Sequence, residues 1–355
     1  SGIHKSTDNG RTWRRVSAGL PAGDKGKIGL AVTAADPRLV YATIEANAEE
    51  RGFYRSRDRG ESWEKRNSYI SGGTGPHYYQ EIEASPVNAD LVYQMDVFLQ
   101  VTRDGGATFT NLESGHDKHS DNHAMWIDPA DGRHMLVGTD AGLYETFDEG
   151  KRFRHFPNIP ASQFYKVALS DRAPFYDVLG GAQDMGTYIG PSRTMNQDGI
   201  RNQDWYVPLG ADGYGVAFEP GDPDIAYMME QEGFLFRRDR RNEELVTIQP
   251  RGRAGDPPER WNWDSPIMVS PHQPSRVYFG SQRIWRSDDR GDRWTAISPD
   301  LTLGQERYAQ RFYGRTWSVD ALHDNAAMSK YATTTSISES SVAAGTLVVG
   351  TDDGL

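Results

Sequence analysis

The 355 residues carry a formal charge of −11 with histidine neutral, together with 37 Gly, 19 Pro, 17 Tyr, 9 Trp and no Cys. An acidic chain without a Lys/Arg stripe lacks the electrostatic footprint of a nucleic-acid or anionic-lipid binder, and the lack of cysteine excludes disulfides and thiolate metal sites. No run approaches the roughly 18 apolar residues of a membrane helix, no signal-peptide core is visible, and the many turn formers and aromatics favour short strands over long helices.

In chain order, the first element is a turn motif with Ser6, Asp8, Gly10, Thr12 and Trp13. An apolar, β-rich stretch from Ile28 to Thr43 follows, broken by Asp36-Pro37, and the motif returns with Ser56, Asp58, Gly60, Ser62 and Trp63. The same pairing of strand–turn–strand with motif recurs. Strand pairs are expected over Ile82 to Tyr93, Ala124 to Gly138, Val167 to Gly180, Val216 to Met228 and Ile267 to Gly280, and again from near Thr333 to Thr351. The motif reappears around Asp104, Asp148 and Asp289, in each case with Ser or Thr two residues earlier, Gly two residues later and an aromatic five residues later. In such a hairpin the Asp accepts hydrogen bonds from the turn's own amides, the Gly takes φ > 0 and the aromatic packs beneath. Repeats of about 40 residues with four strands apiece predict an all-β chain folded as a β-propeller.

The expected blade count is seven, over a single domain spanning 1–355. The chain opens on a motif with no strands before it and stops at Gly354-Leu355, where a motif is due. Residues 330–355 plus 1–20 would then form one blade and close the ring, removing exposed sheet edges; the competing reading, kept open by the Ser1-Gly2 start, is that both ends are cuts in a longer protein. The fourth and fifth repeats lack the motif, with Thr187 to Trp205 and Phe234 to Asp239 in its place. Residues 303–330 carry no repeat and read as an insertion or crossover.

These motifs resemble the Asp-box, or BNR, repeat of sialidases, two-propeller xyloglucanases and the sortilin ectodomain. Through Pro76 to Tyr79, His123 to Asp128, Gly181 to Gly186, Gly190 to Arg193, Asp204 to Tyr206 and Ser298 to Thr302, the chain is similar over nearly its whole length to large bacterial sortilin-like or glycosyl-hydrolase-like BNR-repeat proteins. The resemblance implies an extracytoplasmic protein (secreted, periplasmic or cell-surface), further domains in a longer parent chain, and a carbohydrate or peptide ligand. A sialidase would need three convergent arginines, and the sequence singles out no such triad.

In a propeller, the loops leading into each innermost strand share one face with the loops between the second and third strands, opposite the repeated motifs. That face collects His, Asp and aromatic residues. His77, Tyr78, Tyr79, Gln163, Tyr165, Gln183, Arg193, Arg260, Trp261 and Trp263 are the candidate ligand-binding residues: the aromatics for stacking on sugar rings or holding peptide side chains, the arginines for a carboxylate. Tyr78, Tyr79, Tyr165, Trp261 and Trp263 equally suit packing between blades. Within the run from His116 to His123, an extended chain would turn His119, Asp121 and His123 to one side, a candidate divalent-cation set; the alternative is a polar loop that orders itself by its own hydrogen bonds. Asp184 and Asp212 lie in loops of adjacent repeats and are the candidate acid/base pair for glycoside hydrolysis, with His123 as an orienting or metal-binding group. Both aspartates precede or neighbour glycines and equally suit turn capping. The function expected is carbohydrate recognition with possible hydrolysis; the alternative is a non-catalytic, sortilin-like module for peptide or protein.

Overall fold

The computed structural model describes residues 1–71, 80–113, 117–159, 161–312, 314–316 and 330–354. His77, Tyr78, Tyr79 and His116, and the greater part of the second half of 303–330, lie outside the described residues. The chain is all-β, and its described residues fall into two compact units that divide at 160/161.

The first unit opens with a two-stranded sheet of β1 (Ile3–Lys5) and β2 (Arg14–Val16). Three four-stranded sheets follow. They are β3 (Ile28–Val32), β4 (Val40–Ile44), β5 (Gly52–Ser56) and β6 (Glu64–Asn67); β7 (Ile82–Ala84), β8 (Val92–Gln94), β9 (Gln100–Thr102) and β10 (Thr110–Asn111); and β11 (Asn122–Ile127), β12 (Met135–Thr139), β13 (Gly142–Thr146) and β14 (Arg154–His155). The second unit has three more: β15 (Lys166–Leu169), β16 (Asp177–Ala182), β17 (Gly186–Pro191) and β18 (Tyr206–Leu209); β19 (Val216–Glu219), β20 (Asp222–Met229), β21 (Leu235–Asp239) and β22 (Glu244–Thr247); and β23 (Ile267–Val269), β24 (Val277–Gly280), β25 (Ile284–Ser287) and β26 (Thr295–Ala296). A short hairpin of β27 (Arg311–Phe312) and β28 (Arg315–Thr316) follows, then the pair β29 (Thr334–Glu339) and β30 (Leu347–Thr351).

Every four-stranded sheet is an antiparallel meander in chain order, the blade of a propeller. The expected strand pairs are in register, with Ala124 opposite Gly138, Val167 opposite Gly180 and Val216 opposite Met228. The β19–β20 reversal uses Gly221 at φ 79, so Asp222-Pro223 already belongs to the strand. Among the described residues six sheets are four-stranded, and the terminal pairs β1–β2 and β29–β30 are two-stranded, roughly consistent with seven blades. Residues 303–330 are not featureless, since a 3-10 turn (Arg307–Ala309) and the β27–β28 hairpin lie within them.

Successive side chains of a strand face opposite ways, so a blade sandwiched between two neighbours must be apolar on both faces. Neighbouring residues accordingly enter different cores. Tyr41 and Phe53 pack with Ile82, Ala84 and Val92 of the next blade, whereas Ala42, Ile44 and Tyr54 pack with Ile3, Val16 and Trp63. Val92 and Tyr93 divide in the same way, as do Met228 and Met229. Each large side chain buried in these layers contributes about 1.5–3 kcal/mol.

The repeated motif forms the turn between the third and fourth strands. In the first blade Asp58 accepts the amides of Glu61 and Ser62 at 3.0 and 2.9 Å, while Ser56 Oγ donates to Asp58 and accepts from the Gly60 amide at 2.8 Å. Arg59 and Gly60 sit at φ 62 and 82, the left-handed pair that aims those amides inward. Asp8, Asp104, Asp148 and Asp289 repeat the arrangement. The aromatic does not pack beneath in every copy: Trp63 is 7 % exposed, but Trp13 is 63 % exposed. The fifth blade closes the same hairpin by other means, with Asp239 accepting the Arg241 amide at 3.0 Å and Glu243 at φ 64. In the fourth, β17 and β18 are joined by the long segment 192–205.

No helix among the described residues is long and apolar enough to cross a membrane.

Candidate functional site

In an up-and-down meander the first-to-second and third-to-fourth connections lie at one end of a blade, and the second-to-third connection lies at the other. In the second unit that other end carries Gln183–Met185 after β16, Gly210–Gly215 before β19, Glu230–Phe234 after β20 and Arg260–Pro266 before β23.

Backbone hydrogen bonds lock these loops together. The Gly213 amide donates to Ala182 O at 2.9 Å, and the Asp184 amide donates to Asp212 Oδ1 at 2.9 Å. Asp184 is exposed and left-handed at φ 61. Gly181 is required here, because a Cβ on it would lie 2.4 Å from Tyr214 O. Tyr214 and Gly215 continue the β19–β20 ladder through Met229 at 3.0 and 2.9 Å, which leaves Glu230 as the first residue past it. The turn after Glu230 rests on the next loop. Glu232 N donates to Trp263 O at 3.3 Å, and Gly233, at φ 75, lies so close to the Trp261 ring that a Cβ would stand 2.6 Å from it.

A row of aromatics runs along this end. Tyr165 and Tyr214 have ring centroids 5.0 Å apart, and Tyr214 and Trp263 meet edge to face at 6.3 Å. Tyr165 Oη donates to Gln183 Oε1 at 2.5 Å, Tyr214 Oη lies 3.4 Å from the same oxygen, and Trp263 Nε1 donates to Tyr214 Oη. Tyr165 is 46 % exposed and forms the open end of the row. Alternation along 163–165 explains it: Phe164 turns inward against Trp205 and Gly180, so Gln163 and Tyr165 face out.

Carboxyl groups flank the row. Burial pushes the Glu230 carboxyl above the ordinary glutamate range, and the negative charge of Asp212 pushes it further. Burial also raises Asp264, an effect opposed by Lys166, whose Nζ lies 3.4 Å from Asp264 Oδ2. The Tyr214 hydroxyl is raised, first by burial, against the Trp263 hydrogen bond and with the charges of Asp212 and Asp184.

The residues singled out in the sequence therefore divide. Tyr165, Gln183, Asp184, Asp212 and Trp263 come together, and Gln163 is exposed beside them. Trp261 is 8 % exposed and stacks on Phe279 in the core at 5.0 Å, so it does not face a ligand. Arg260 is tied to Ala332 O at 2.9 Å and to Asp300 at 2.6 Å. Arg193 lies at the opposite end of its blade, over the Phe175 ring at 5.0 Å, because β17 runs back toward the β15–β16 turn. Tyr214, Lys166 and Glu230 were not singled out. The signal for Glu230 was an acidic residue directly after a second strand, a place also taken by Glu45 and Asp140.

In the first unit the proposed cation set does not form. Asp121 is left-handed at φ 62 and β11 begins only at Asn122, so the alternation that would align His119, Asp121 and His123 is broken. His119 Nδ1 lies 2.9 Å from Ser120 O, Ser120 Oγ donates to Asp121, and His123 Nε2 pairs with Asp140 at 2.7 Å. Among the described residues no three His, Asp or Glu side chains are gathered as a metal ion requires. The loop is instead held by Lys118, buried against Glu113 at 2.8 Å and Asn122 Oδ1 at 2.6 Å. His123 also belongs to a different unit from Asp184 and Asp212.

No protein-family model and no curated protein matches the chain. Among solved structures it is similar to the GH74 xyloglucanase from Xanthomonas campestris, at 16% identity and a TM-score of 0.31 over 77% of this chain and 38% of that one. It is similar to the GH74 enzyme of Niastella koreensis at 11% identity and a TM-score of 0.32, over 77% of this chain and 59% of that one. It is also similar to YCF48 bound to D1 peptide at 12% identity and a TM-score of 0.29, over 78% of this chain and 88% of that one. The chain thus spans less than two thirds of the length of either GH74 enzyme.

Proposed function

We propose that the second unit binds carbohydrate against Tyr165 and Trp263, with the buried Tyr214 packed between them, and hydrolyses a glycosidic bond beside them, with Asp184 and Asp212 as the carboxylates that meet the sugar. The observation that carries the reading is the aromatic row itself, with one exposed ring, a shared amide acceptor in Gln183 and carboxyl groups alongside. Sugars present apolar faces edged by hydroxyls, and rings flanked by acceptors complement both. On this reading the repeated turns are Asp-boxes of a sortilin-like or glycosyl-hydrolase-like protein that works outside the cytoplasm.

The test is calorimetric titration with a panel of soluble polysaccharides, together with a screen for released reducing ends. Binding should weaken about tenfold or more, or about 1.4 kcal/mol, in both Tyr165→Ala and Trp263→Ala. Glycan binding that neither substitution changes overturns the site. Failure to bind any glycan, with a peptide bound in its place and lost in the same two variants, would favour the non-catalytic peptide-binding alternative.

A further inference from the structure

Glu230 occupies a position whose usual employment can be read from the other blades. In two other sheets the residue directly after the second strand turns back to hold the loop leading into the first strand: Glu45 accepts the Lys27 amide at 2.9 Å and Asp352 accepts the Thr333 amide at 2.8 Å. Glu230 does none of this. Its own amide is satisfied by Phe234 O at 2.9 Å, its side chain caps nothing, and no hydrogen-bond donor or cation reaches its carboxyl among the described residues. It is half-buried at the end of the ladder, one residue past the Tyr214–Met229 hydrogen bond, within the influence of the Asp212 charge. Partial burial and the Asp212 charge both favour its neutral form over the carboxylate. The charged groups of the surrounding loops are Asp212 and Asp184, Glu232 on the same turn, Asp264 paired with Lys166, and Arg260 held by Asp300. Both cations, Lys166 and Arg260, are thus engaged by other carboxylates.

We infer that Glu230 is the proton donor of this site and Asp212 the base that takes the proton of the attacking water. The inference rests on the reading that the site hydrolyses a glycoside, and it replaces Asp184 as the acid. Glu230 passes its proton to the glycosidic oxygen as the bond from that oxygen to the anomeric carbon breaks, and the bond's electron pair stays on the oxygen. A water molecule forms the new bond to the anomeric carbon and loses a proton to Asp212, from which solvent returns a proton to Glu230. The Asp184 amide orients Asp212 for this role, and two carboxyl groups whose environments differ are what an acid and a base require.

Two measurements test it. Carbon-13 NMR of glutamate-labelled protein, with Glu230→Gln identifying the resonance, should show Glu230 titrating above the ordinary value of about 4.3; titration at or below that value overturns the assignment without reference to activity. On a polysaccharide found by the screen, Glu230→Gln should lower kcat at least about 100-fold with KM within about threefold. Hydrolysis that survives Glu230→Gln but is lost in Asp212→Asn overturns the proton donor alone. Absence of hydrolysis by the unsubstituted protein overturns catalysis at this face altogether, and the donor with it.

Discussion

The amide of Asp184 and the carboxylate of Asp212 meet at 2.9 Å, so two residues 28 positions apart hold one another at the ends of adjacent blades. The contact fixes the Gln183 turn, on which the Tyr165 hydroxyl depends.

Asp212→Ala should therefore act twice. Loss of the carboxylate leaves the Asp184 amide without this partner, and a hydrogen bond to a charged group contributes about 1.5–3 kcal/mol. Urea denaturation should show a loss at or below that range, with ligand binding weakened more than stability. A fall in Tm is expected for Asp184→Val, because a β-branched residue is strained at φ 61.

The repeated turns predict an acid limb. In Asp8 the Thr12 hydroxyl and amide hold the carboxyl at about 2; in Asp104 burial works against the turn's hydrogen bonds, led by the Thr108 amide, yet the carboxyl still lies at about 2. Groups lowered on folding stabilise the fold above their unfolded value, near 3.9, and that contribution disappears as pH falls toward 2. Stability measured by urea denaturation between pH 5 and 2 should fall less steeply in Asp104→Asn than in the unsubstituted protein, although the variant is less stable at pH 7.

His134 predicts a limb of opposite sign. Its Nε2 lies 3.0 Å from Glu145 and its Nδ1 3.2 Å from Asp128, and these hydrogen bonds, Glu145 first, raise its pKa. A group raised on folding stabilises below its unfolded value, near 6.5, and the contribution is lost as pH rises through the higher folded value. His134→Gln should remove this slope above the unfolded value near 6.5 in thermal melts, while leaving the acid limb of the repeated turns in place.

Lys118 and Glu113 form a pair whose side chains are 0 % and 1 % exposed. Removing one charge strands the other, so Glu113→Leu should cost about 3–5 kcal/mol. The double substitution Glu113→Leu with Lys118→Met should recover most of that loss in denaturant midpoint. A double variant no more stable than Glu113→Leu would show that the pair's other hydrogen bonds, from Lys118 to Asn122 and His119 O and from the Leu99 amide and Asn122 to Glu113, matter more than its charge.

Legibility in the sequence followed the range of the forces involved. Each repeated turn is complete within about eight residues: Asp58 finds its donors at Glu61 and Ser62, so spacing alone specified the hairpin. Strand pairing was legible for the same reason, since Ala124 meets Gly138 across one short turn. The aromatic of the motif was less so, because Trp63 finds Ile3 and Val16 to pack on while Trp13 has no such neighbours in its core.

What the sequence by itself determined is the repeat: local turn chemistry and period-two alternation require four-stranded meanders with apolar faces on both sides. Only the tertiary structure decided which polar residues converge. Trp261 and Trp263, two positions apart, were equivalent on the page, yet one stacks on Phe279 in the core and the other reaches Tyr214 from the neighbouring blade. Asp121 broke the expected histidine alignment through a single left-handed dihedral. Glu230 gained its character from burial and from the Asp212 charge, both supplied by chain far from it in sequence. Hydrogen bonds within a turn depend on a few consecutive residues, whereas desolvation and charge proximity depend on everything packed nearby, and that sum is not written in any one segment.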